Sequence, residues 1–246
     1  MADKGIVSRA KVEALVESIR AKTGVTGPLN FDTMKTALDN ITGSSGGEDM
    51  LQQLVNAKGN CDYLFYNYKG KTLDFISNLD TSKIKEMDFM FYSCSNITTF
   101  PQLNTDNLYS VYRMCYTCSS LESTPIINMD KVHNANQMFN GCGKLTSVNL
   151  INVRVDLSLS SSTLLTLDSL IGLCKECINT GSAKTLTVGS TNLDKIQNSG
   201  KYYKFVDSSV TEVAVDEKGD IEECESTVTG SFSITDYMAM KHWTLA

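Results

Sequence analysis

The sequence predicts an α/β solenoid, with a small helical module before it and a cap after it. The first observation is a motif that recurs every 24 positions, at residues 90–94, 114–118 and 138–142; it reads Met-Phe-Tyr-Ser-Cys, Met-Cys-Tyr-Thr-Cys and Met-Phe-Asn-Gly-Cys. The second is that four apolar positions keep this spacing without an insertion. Their members are Ile84, Leu108 and Val132; Met87, Val111 and Ala135; Ile97, Leu121 and Leu145; and Leu103, Ile127 and Ile151. Such a fixed period is typical of stacked coils that bury their apolar edges against their neighbours.

Residues 1–41 are predicted to form an N-terminal helical module that attaches the protein to a larger assembly and oligomerises. The first helix carries apolar side chains at helical spacing, and a second short helix follows a Thr-Gly-Pro turn. The predicted attachment residues are Val12, Leu15, Ile19, Phe31 and Met34. A helical hairpin this small buries little surface, which favours docking or oligomerisation. Residues 42–48 are rich in Gly and Ser and are predicted to be a flexible linker.

Residues 49–151 are predicted to form the stack of repeats. A short helix at 49–57 and a degenerate repeat at about 60–83 precede the regular repeats at 84–151. Within each repeat, apolar residues first recur at steps of three and four, as in Met87, Met90 and Cys94, which indicates a short helical turn. They then enter a segment such as 97–100 or 145–150, which indicates a strand. One strand and one short helix in each coil is the leucine-rich-repeat pattern.

Residues 152–246 are predicted to form a C-terminal cap with an acidic insertion. The pattern indicates a helix at 164–178 with Thr166 as its N-cap, a strand at 184–189 and a short helix at 192–198. Two later segments, at 205–215 and 228–234, are predicted to be extended. The insertion at 201–240 carries a run of acidic side chains, for which we predict a solvated loop or a repulsive face. Calcium binding is the alternative, although the Asp-x-Asp-x-Asp-Gly pattern of calcium loops is missing.

Composition argues against two classes of partner. The formal net charge is −6 and there is no block of lysines and arginines, so a nucleic-acid-binding surface is not expected. No apolar run approaches the roughly 20 residues that cross a bilayer, so membrane insertion is not expected either. The N-terminus does not read as a signal peptide, and we therefore expect synthesis in a cytoplasm without standard N-terminal export.

The cysteines are predicted to be structural. Cys94, Cys118 and Cys142 occupy one repeat position and are expected to lie on successive coils as small buried apolar residues. The open alternative is a zinc or redox site formed by the two Cys-x-x-Cys pairs, which begin at Cys115 and Cys174.

No catalytic constellation is found in the sequence. The two histidines are His133, inside a repeat, and His242, next to the tryptophan. Phosphate-loop, His-Glu-x-x-His and Gly-x-Ser-x-Gly motifs are missing. We therefore predict a protein that is not an enzyme and has neither a cofactor nor a bound metal. A pair of carboxylates of the glycoside-hydrolase type, brought together only in space, is the alternative.

Aromatic side chains are the candidate binding residues. Tyr92 and Tyr116 occupy the same repeat position, and Asn140 follows them in the third repeat. With Tyr68 and Tyr112 they form the predicted site. A row of tyrosines beside Asn and Ser is suited to the apolar faces of sugars or to a protein partner. The alternative is that these rings only fill the corner of each coil as packing.

The chain resembles a family of repeat proteins in three places. The unit Met-Phe-x-x-Cys-x-x-Leu-Thr-x-Val at 138–148 resembles the surface-antigen (BspA-type) branch of the leucine-rich repeats. The segments 165–170, 184–193 and 243–246 are similar to the C-terminal cap of repeat proteins in tail and baseplate regions of bacteriophages that infect Gram-positive and gut bacteria. Residues 10–41 are similar to a short module at the head of phage tail proteins.

The resemblance implies a virion structural protein of a phage tail tip, baseplate or fibre, made in the host cytoplasm. It implies that residues 1–48 contact other virion proteins, that the chain is a homo-oligomer, and that the repeat surface recognises a glycan or protein of the host envelope. The alternatives are a purely architectural virion protein of the head or tail without a host ligand, and a cellular surface adhesin.

Overall fold

The computed structural model describes residues 51–52, 55–56, 59–198, 202–206, 209–213, 231–232, 235, 238–239 and 241–246. The predicted helical module at 1–41 and the linker at 42–48 lie outside the described residues, as does most of the acidic insertion at 201–240. Residues 51–52 and 55–56 are helical, within the helix predicted at 49–57.

Eight strands and two α-helices are bounded within the described residues. The strands are β1 Ser123–Asn128, β2 Ser147–Ile151, β3 Leu157–Ser158, β4 Lys184–Thr187, β5 Tyr202–Val206, β6 Ser209–Val213, β7 Ser231–Phe232 and β8 Trp243–Leu245. The α-helices are α1 Leu167–Glu176 and α2 Ser190–Gln197, and a 3₁₀ turn spans Asp74–Ile76. Strand β1 pairs with β2, and β4 lies between β3 and β8; both of these sheets are parallel. Strand β5 lies between β6 and β7 in an antiparallel sheet.

The predicted α/β solenoid is wrong. The structure shows a small mixed α/β domain with sheets of two or three strands. Both α-helices bounded in the described residues follow the repeats, so no repeat contains the predicted short helix. The predicted strand at Ile97–Phe100 is not formed either, whereas its counterpart in the third repeat is β2.

Backbone hydrogen bonding explains why the three- and four-residue steps do not make a helix. In residues 87–94, the N–H groups of Met90, Tyr92 and Cys94 donate to the carbonyl three residues before them, at 3.0–3.2 Å. Those of Met87, Phe89, Phe91 and Ser93 donate to carbonyls of residues 110–116 in the next repeat, at 2.8–3.1 Å. An α-helix would instead use the carbonyl four residues back. The apolar spacing is therefore realised by successive turns that hydrogen-bond sideways.

The 24-residue period persists as a relation between lateral neighbours. Parallel bridges join Glu86 to Ser110 and Ser110 to Asn134. The four apolar positions identified from the sequence are buried, except that Ile151 is half-buried. These side chains form one continuous hydrophobic core with the buried faces of α1 and β4. The sequence therefore predicted the core correctly where it failed to predict the secondary structure.

The elements after the repeats agree with most of the sequence predictions. Helix α1 lies inside the predicted 164–178, and the Thr166 side chain accepts a hydrogen bond from the Ser169 N–H at 3.2 Å, as an N-cap does. Strand β4 and helix α2 lie close to the predicted 184–189 and 192–198. The predicted extended segments at 205–215 and 228–234 contain β6 and β7.

Candidate ligand-binding face

One side of the repeats carries a continuous cluster of six aromatic rings and one guanidinium group, which we call the aromatic patch. Along residues 87–94, the side chains at 87, 90, 91 and 94 are buried, whereas those at 88, 89, 92 and 93 are half-exposed. The same division recurs in the repeats on either side, so outward side chains form rows that run from repeat to repeat. The members of the aromatic patch are Tyr63, Tyr66, Phe89, Tyr92, Tyr112, Arg113 and Tyr116.

The first row is a ladder of three tyrosines. The ring centroids of Tyr66 and Tyr92 are 4.9 Å apart with an interplanar angle of 6°, and those of Tyr92 and Tyr116 have the same separation and angle. This spacing is close to the distance between hydrogen-bonded strands, so the backbone ladder itself sets the stacking. Asn140 occupies the next position of the row and is exposed.

The second row lies beside the ladder and is joined to it. Tyr63 stacks on Phe89 with centroids 4.6 Å apart, and Phe89 meets the edge of Tyr112 at 5.1 Å. The guanidinium carbon of Arg113 lies 5.0 Å from the centroid of Tyr112 and 5.2 Å from that of Tyr116. Such cation–π contacts hold a cation against ring faces. The two rows therefore form a single preassembled surface.

The phenol groups of the aromatic patch are open to a ligand. Tyr63 is 55% exposed and Tyr66 is 42% exposed. None of the five tyrosine hydroxyls in the patch has a hydrogen-bond partner among the described residues. The Asp88 carboxylate beside the patch accepts hydrogen bonds from the Ser110 hydroxyl at 2.6 Å and the Tyr112 N–H at 2.8 Å, and the Asp62 carboxylate accepts from the Asp88 N–H at 2.8 Å. Both carboxylates are therefore engaged by the protein, and Arg113 is the charged member of the patch.

A cleft of about 440 Å³ opens next to the aromatic patch. One wall is formed by residues 133–137, which follow Tyr109–Arg113 in the 24-residue register, and the other by residues 155–158 and by β4. The Arg113 Nε donates a hydrogen bond to the Gln137 Oε1 at 2.6 Å, which links the patch to the first wall. Patch and cleft therefore form adjoining parts of one face.

The structure brings together three of the five predicted binding residues. Tyr92, Tyr112 and Tyr116 lie in the aromatic patch, and Asn140 adjoins its end. Tyr68 does not belong to the patch: it is 7% exposed, its ring packs against Phe75, and its hydroxyl donates to the Thr72 carbonyl at 3.0 Å. Tyr68 is therefore a core residue. The predicted attachment residues Val12, Leu15, Ile19, Phe31 and Met34 lie outside the described residues.

Sequence reasoning missed Phe89, Arg113 and the cleft. Phe89 and Arg113 share a repeat position with Gln137, but the three side chains differ in type, so the register carries no recognisable motif. The place of Tyr66 in the ladder could have been predicted from the sequence, because residues 64–66 resemble residues 90–92. No sequence signal marks the cleft, because its walls come from residues 133–137, 155–158 and 184–187, which only the fold brings together.

The repeat cysteines lie in the core behind the patch. The thiols of Cys94, Cys118 and Cys142 each donate to a backbone carbonyl at 3.0 Å. Burial raises the pKa of Cys142 to about 12, so this thiol remains protonated and unreactive at neutral pH. Across the part of the chain that the structure describes, no group of three or more His, Cys, Asp or Glu side chains is placed to hold a metal ion. No helix in that part is long and apolar enough to span a bilayer.

Comparison with known proteins finds one family. Residues 59–158 match a family model described as a Mycoplasma protein of unknown function, DUF285. The matched segment contains the aromatic patch and the cleft residues 133–137 and 155–158, and it covers less than half of the 246 residues. No curated protein and no solved structure matches the chain.

Proposed function

We propose that the protein is a non-enzymatic virion structural protein of a phage tail tip, baseplate or fibre, and that its aromatic patch binds a carbohydrate of the host envelope. The observation that carries the binding role is the aromatic patch, in which six rings and Arg113 form one exposed surface. Contiguous apolar patches on a protein surface often mark binding sites.

The chemistry of the patch supports a carbohydrate ligand. A sugar ring has a C–H face that packs on aromatic carbon and hydroxyl groups that both donate and accept hydrogen bonds. The patch offers open ring surface at Tyr63 and Tyr66, and phenol hydroxyls along the ladder. Its border is formed by short neutral polar side chains at Asn67, Ser93 and Thr117. Ile126, an exposed aliphatic residue of these repeats, is not a member of the patch, so apolar contact with a ligand is made through the faces of the aromatic rings.

The rigidity of the patch supports selective binding from a small surface. Each ladder ring is held against its neighbours by parallel stacking, and Arg113 is held by two rings and by Gln137. Side chains that are ordered before binding lose little rotamer entropy when the ligand arrives. Even one weak site suffices on a particle with many copies, since multivalency raises the effective concentration of the ligand.

Placement on a phage virion rests on the resemblance of residues 10–41 and of the segments 165–170, 184–193 and 243–246 to phage tail proteins. In this proposal, residues 1–48 contact other virion proteins and assemble the chain into a homo-oligomer. A purely architectural virion protein is the second candidate. It is favoured by one observation, the concentration of Tyr and Arg in the patch, because these residues dominate the binding energy of protein interfaces.

Binding of fluorescently labelled full-length protein to a panel of Gram-positive and gut bacteria tests the proposal. We expect saturable binding that survives protease treatment of the cells and is lost after periodate oxidation, which cleaves the vicinal diols of sugars. Replacing Tyr92 and Tyr116 together with Ser should weaken binding at least about tenfold, or about 1.4 kcal/mol.

The control is Leu164→Ser. Leu164 is 55% exposed and belongs to neither the aromatic patch nor the cleft, so its loss should leave binding unchanged. Circular dichroism and urea unfolding of each variant separate lost binding from lost structure. If the folded double variant bound cells as tightly as the wild type, the tyrosine ladder would have only a packing role. Sensitivity to protease instead of periodate would identify a protein ligand, and no binding to any cell would favour the architectural role.

A further inference from the structure

The cleft beside the aromatic patch lies where the lateral hydrogen bonding between repeats is interrupted. Bridges join residues 86, 110 and 134 in sequence, and β3 is joined to β4. Between residues 133–137 and β3, no bridge occurs in the described part of the chain. The two segments are separated, and the space between them is the cleft of about 440 Å³.

The interruption leaves backbone donors at the cleft. In the preceding repeat, the Val111 and Arg113 N–H groups donate to the carbonyls of Asn134 and Asn136 at 2.9 and 3.1 Å. Their counterparts 24 residues later are Ala135 and Gln137, which line the cleft. Their N–H groups have no hydrogen-bond partner within the described residues. A backbone N–H is normally paired with the protein or with solvent, so these two donors are available to a bound molecule.

The side chains of the cleft add both donors and acceptors. The Asn136 amide stands on one wall and the Lys184 ammonium on the other, and Thr187 also lines the cleft. None of these three side chains has a hydrogen bond or ion pair with the described residues. Asp156 accepts from the Thr185 N–H at 2.7 Å and so holds β4 in place. A mixture of amide, hydroxyl, ammonium and backbone N–H groups matches a ligand covered with hydroxyls.

We infer that the cleft is a second subsite for the carbohydrate that the aromatic patch binds, so that the ligand is an extended oligosaccharide lying across successive repeats. The inference rests on the proposed function. From Tyr66 to the wall at 133–137 there are three lateral steps, or roughly 15 Å at the usual strand spacing. One sugar cannot span this distance. A volume of about 440 Å³ is within the range of small-ligand sites.

An inserted peptide strand is the competing occupant. It would pair with the same backbone donors. On the wall at 133–137, however, these donors are those of Ala135 and Gln137, and this run of three residues is shorter than the usual length of a strand. The free side chains on both walls would remain unused by a peptide backbone. The observations therefore favour a short polar ligand.

The test uses the full-length protein and oligosaccharides of graded length, prepared from the wall polysaccharide of a bacterium that the protein binds. Isothermal titration should show affinity that rises with length and then levels off once patch and cleft are both filled. Replacing Asn136 and Lys184 with Ala removes one polar group from each wall. Each lost hydrogen bond weakens binding roughly fivefold, so the double variant should bind long oligosaccharides roughly 25-fold more weakly and short ones normally.

The control variant is Lys144→Ala, since Lys144 is exposed and does not line the cleft. It should bind oligosaccharides of every length as the wild type does. Equal weakening for short and long oligosaccharides, or none for either, would overturn the second subsite and leave the patch proposal standing. Absence of binding by the folded wild type at every length would overturn both proposals. Tight binding of extended peptides in the cleft, in place of sugars, would reassign the subsite to a protein partner.

Discussion

The backbone of each repeat passes through the left-handed region at two positions. In the first regular repeat these are Phe89 and Ser93, with φ of 57° and 58°; in the second they are Arg113 and Thr117, with φ of 51° and 56°. Residues other than Gly seldom adopt such angles, and they do so where the surrounding structure compensates for the strain. Here the compensation is the sideways hydrogen bonding from Phe89 and Ser93 to the next repeat. The same turns place Phe89 and Arg113 on the outer face.

At Gly141 this conformation is adopted by a residue without a side chain, close to the neighbouring repeat. Its φ is 80°, and a Cβ would lie 3.2 Å from the Thr117 Cα and 3.0 Å from the Thr117 Cγ2. We expect Gly141→Ala to lower the free energy of unfolding by about 1–3 kcal/mol in urea titrations. The matched control is Gly172→Ala within α1, where a Cβ meets nothing; it should raise stability by about 0.5–1 kcal/mol. Equal effects of the two substitutions would contradict this explanation.

The buried thiols should be unreactive in the native protein. Burial raises the pKa of both Cys142 and Cys174 to about 12, and that of Cys177 is also raised by burial. In a Cys224→Ser variant, which retains the seven described cysteines, we expect no reaction with a thiol reagent at pH 8 and seven equivalents in denaturant. Rapid modification of the folded variant would show that the core opens.

The raised pKa values of these thiols also predict that the folded protein loses stability at alkaline pH. A thiol whose pKa is higher in the folded state holds its proton there after the unfolded chain has lost it. Stability is therefore fully present below the ordinary thiol pKa of about 8.5 and falls as pH rises toward 12. Urea titrations of the wild type between pH 7 and 11 should show a decline that begins near pH 8.5. A flat profile over that range would contradict the raised pKa values.

Helix α1 joins the repeats to the elements that follow. Its N-cap Thr166 pairs with the Ser169 N–H, and the Ser169 hydroxyl accepts a hydrogen bond from the Val148 N–H of β2 at 2.9 Å. The helix buries Leu170, Ile171, Leu173 and Cys174 against the core. The N-cap, the hydrogen bond to β2 and the buried face together hold α1 against the last repeat, and the core continues past the helix into β4.

The N-cap can be tested by itself. Thr166→Ala removes the acceptor for the Ser169 N–H and should lower the free energy of unfolding by about 1 kcal/mol. Thr166→Ser keeps a hydroxyl at the same position and should stay close to the wild type. Urea unfolding followed by circular dichroism measures both. A loss of the same size in the Ser variant would point to the Thr methyl group instead of the cap.

At the scale of the whole molecule, β8 completes the sheet of β3 and β4. Trp243 is 3% exposed, and its indole N–H donates to the Ile178 carbonyl at 3.0 Å across 65 residues of chain. The Ala246 carbonyl accepts from the Val188 N–H at 2.6 Å. These contacts hold β4 in position, and β4 forms part of one wall of the cleft. The geometry of the candidate site therefore depends on residues far from it in sequence.

Trp243→Phe should destabilise the fold and loosen the cleft. It removes the donor to the part-buried Ile178 carbonyl, and a hydrogen bond of this kind contributes about 0.5–1.5 kcal/mol of stability. The control is Thr244→Ala, an exposed position in the same strand, which should have little effect. Because Trp243 is the single tryptophan, far-ultraviolet circular dichroism is the appropriate probe. Equal stability of the two variants would show that the indole hydrogen bond does not hold β8 in place.

The sequence by itself determined the period, the buried positions, the elements from α1 to α2 with the Thr166 cap, and the shared position of Tyr92 and Tyr116. These follow from apolar spacing and capping chemistry, which are local properties of the chain. The prediction that Tyr68 belongs to the binding site was wrong. Its burial depends on packing against Phe75, and the spacing of residues in the sequence does not show that contact.

Apolar residues spaced three and four apart occur both in short helices and in successive turns. Only the tertiary structure decided that the repeats form turns, whose N–H groups donate to carbonyls of the next repeat. It also decided the outward placement of Phe89 and Arg113, which depends on left-handed backbone angles. Phe and Arg seldom adopt such angles, so the residue types at these positions do not predict them. The cleft arises where residues 133–137 and β3 fail to pair. Pairing between segments is a long-range balance of hydrogen bonding and burial, and for that reason the local pattern does not contain it.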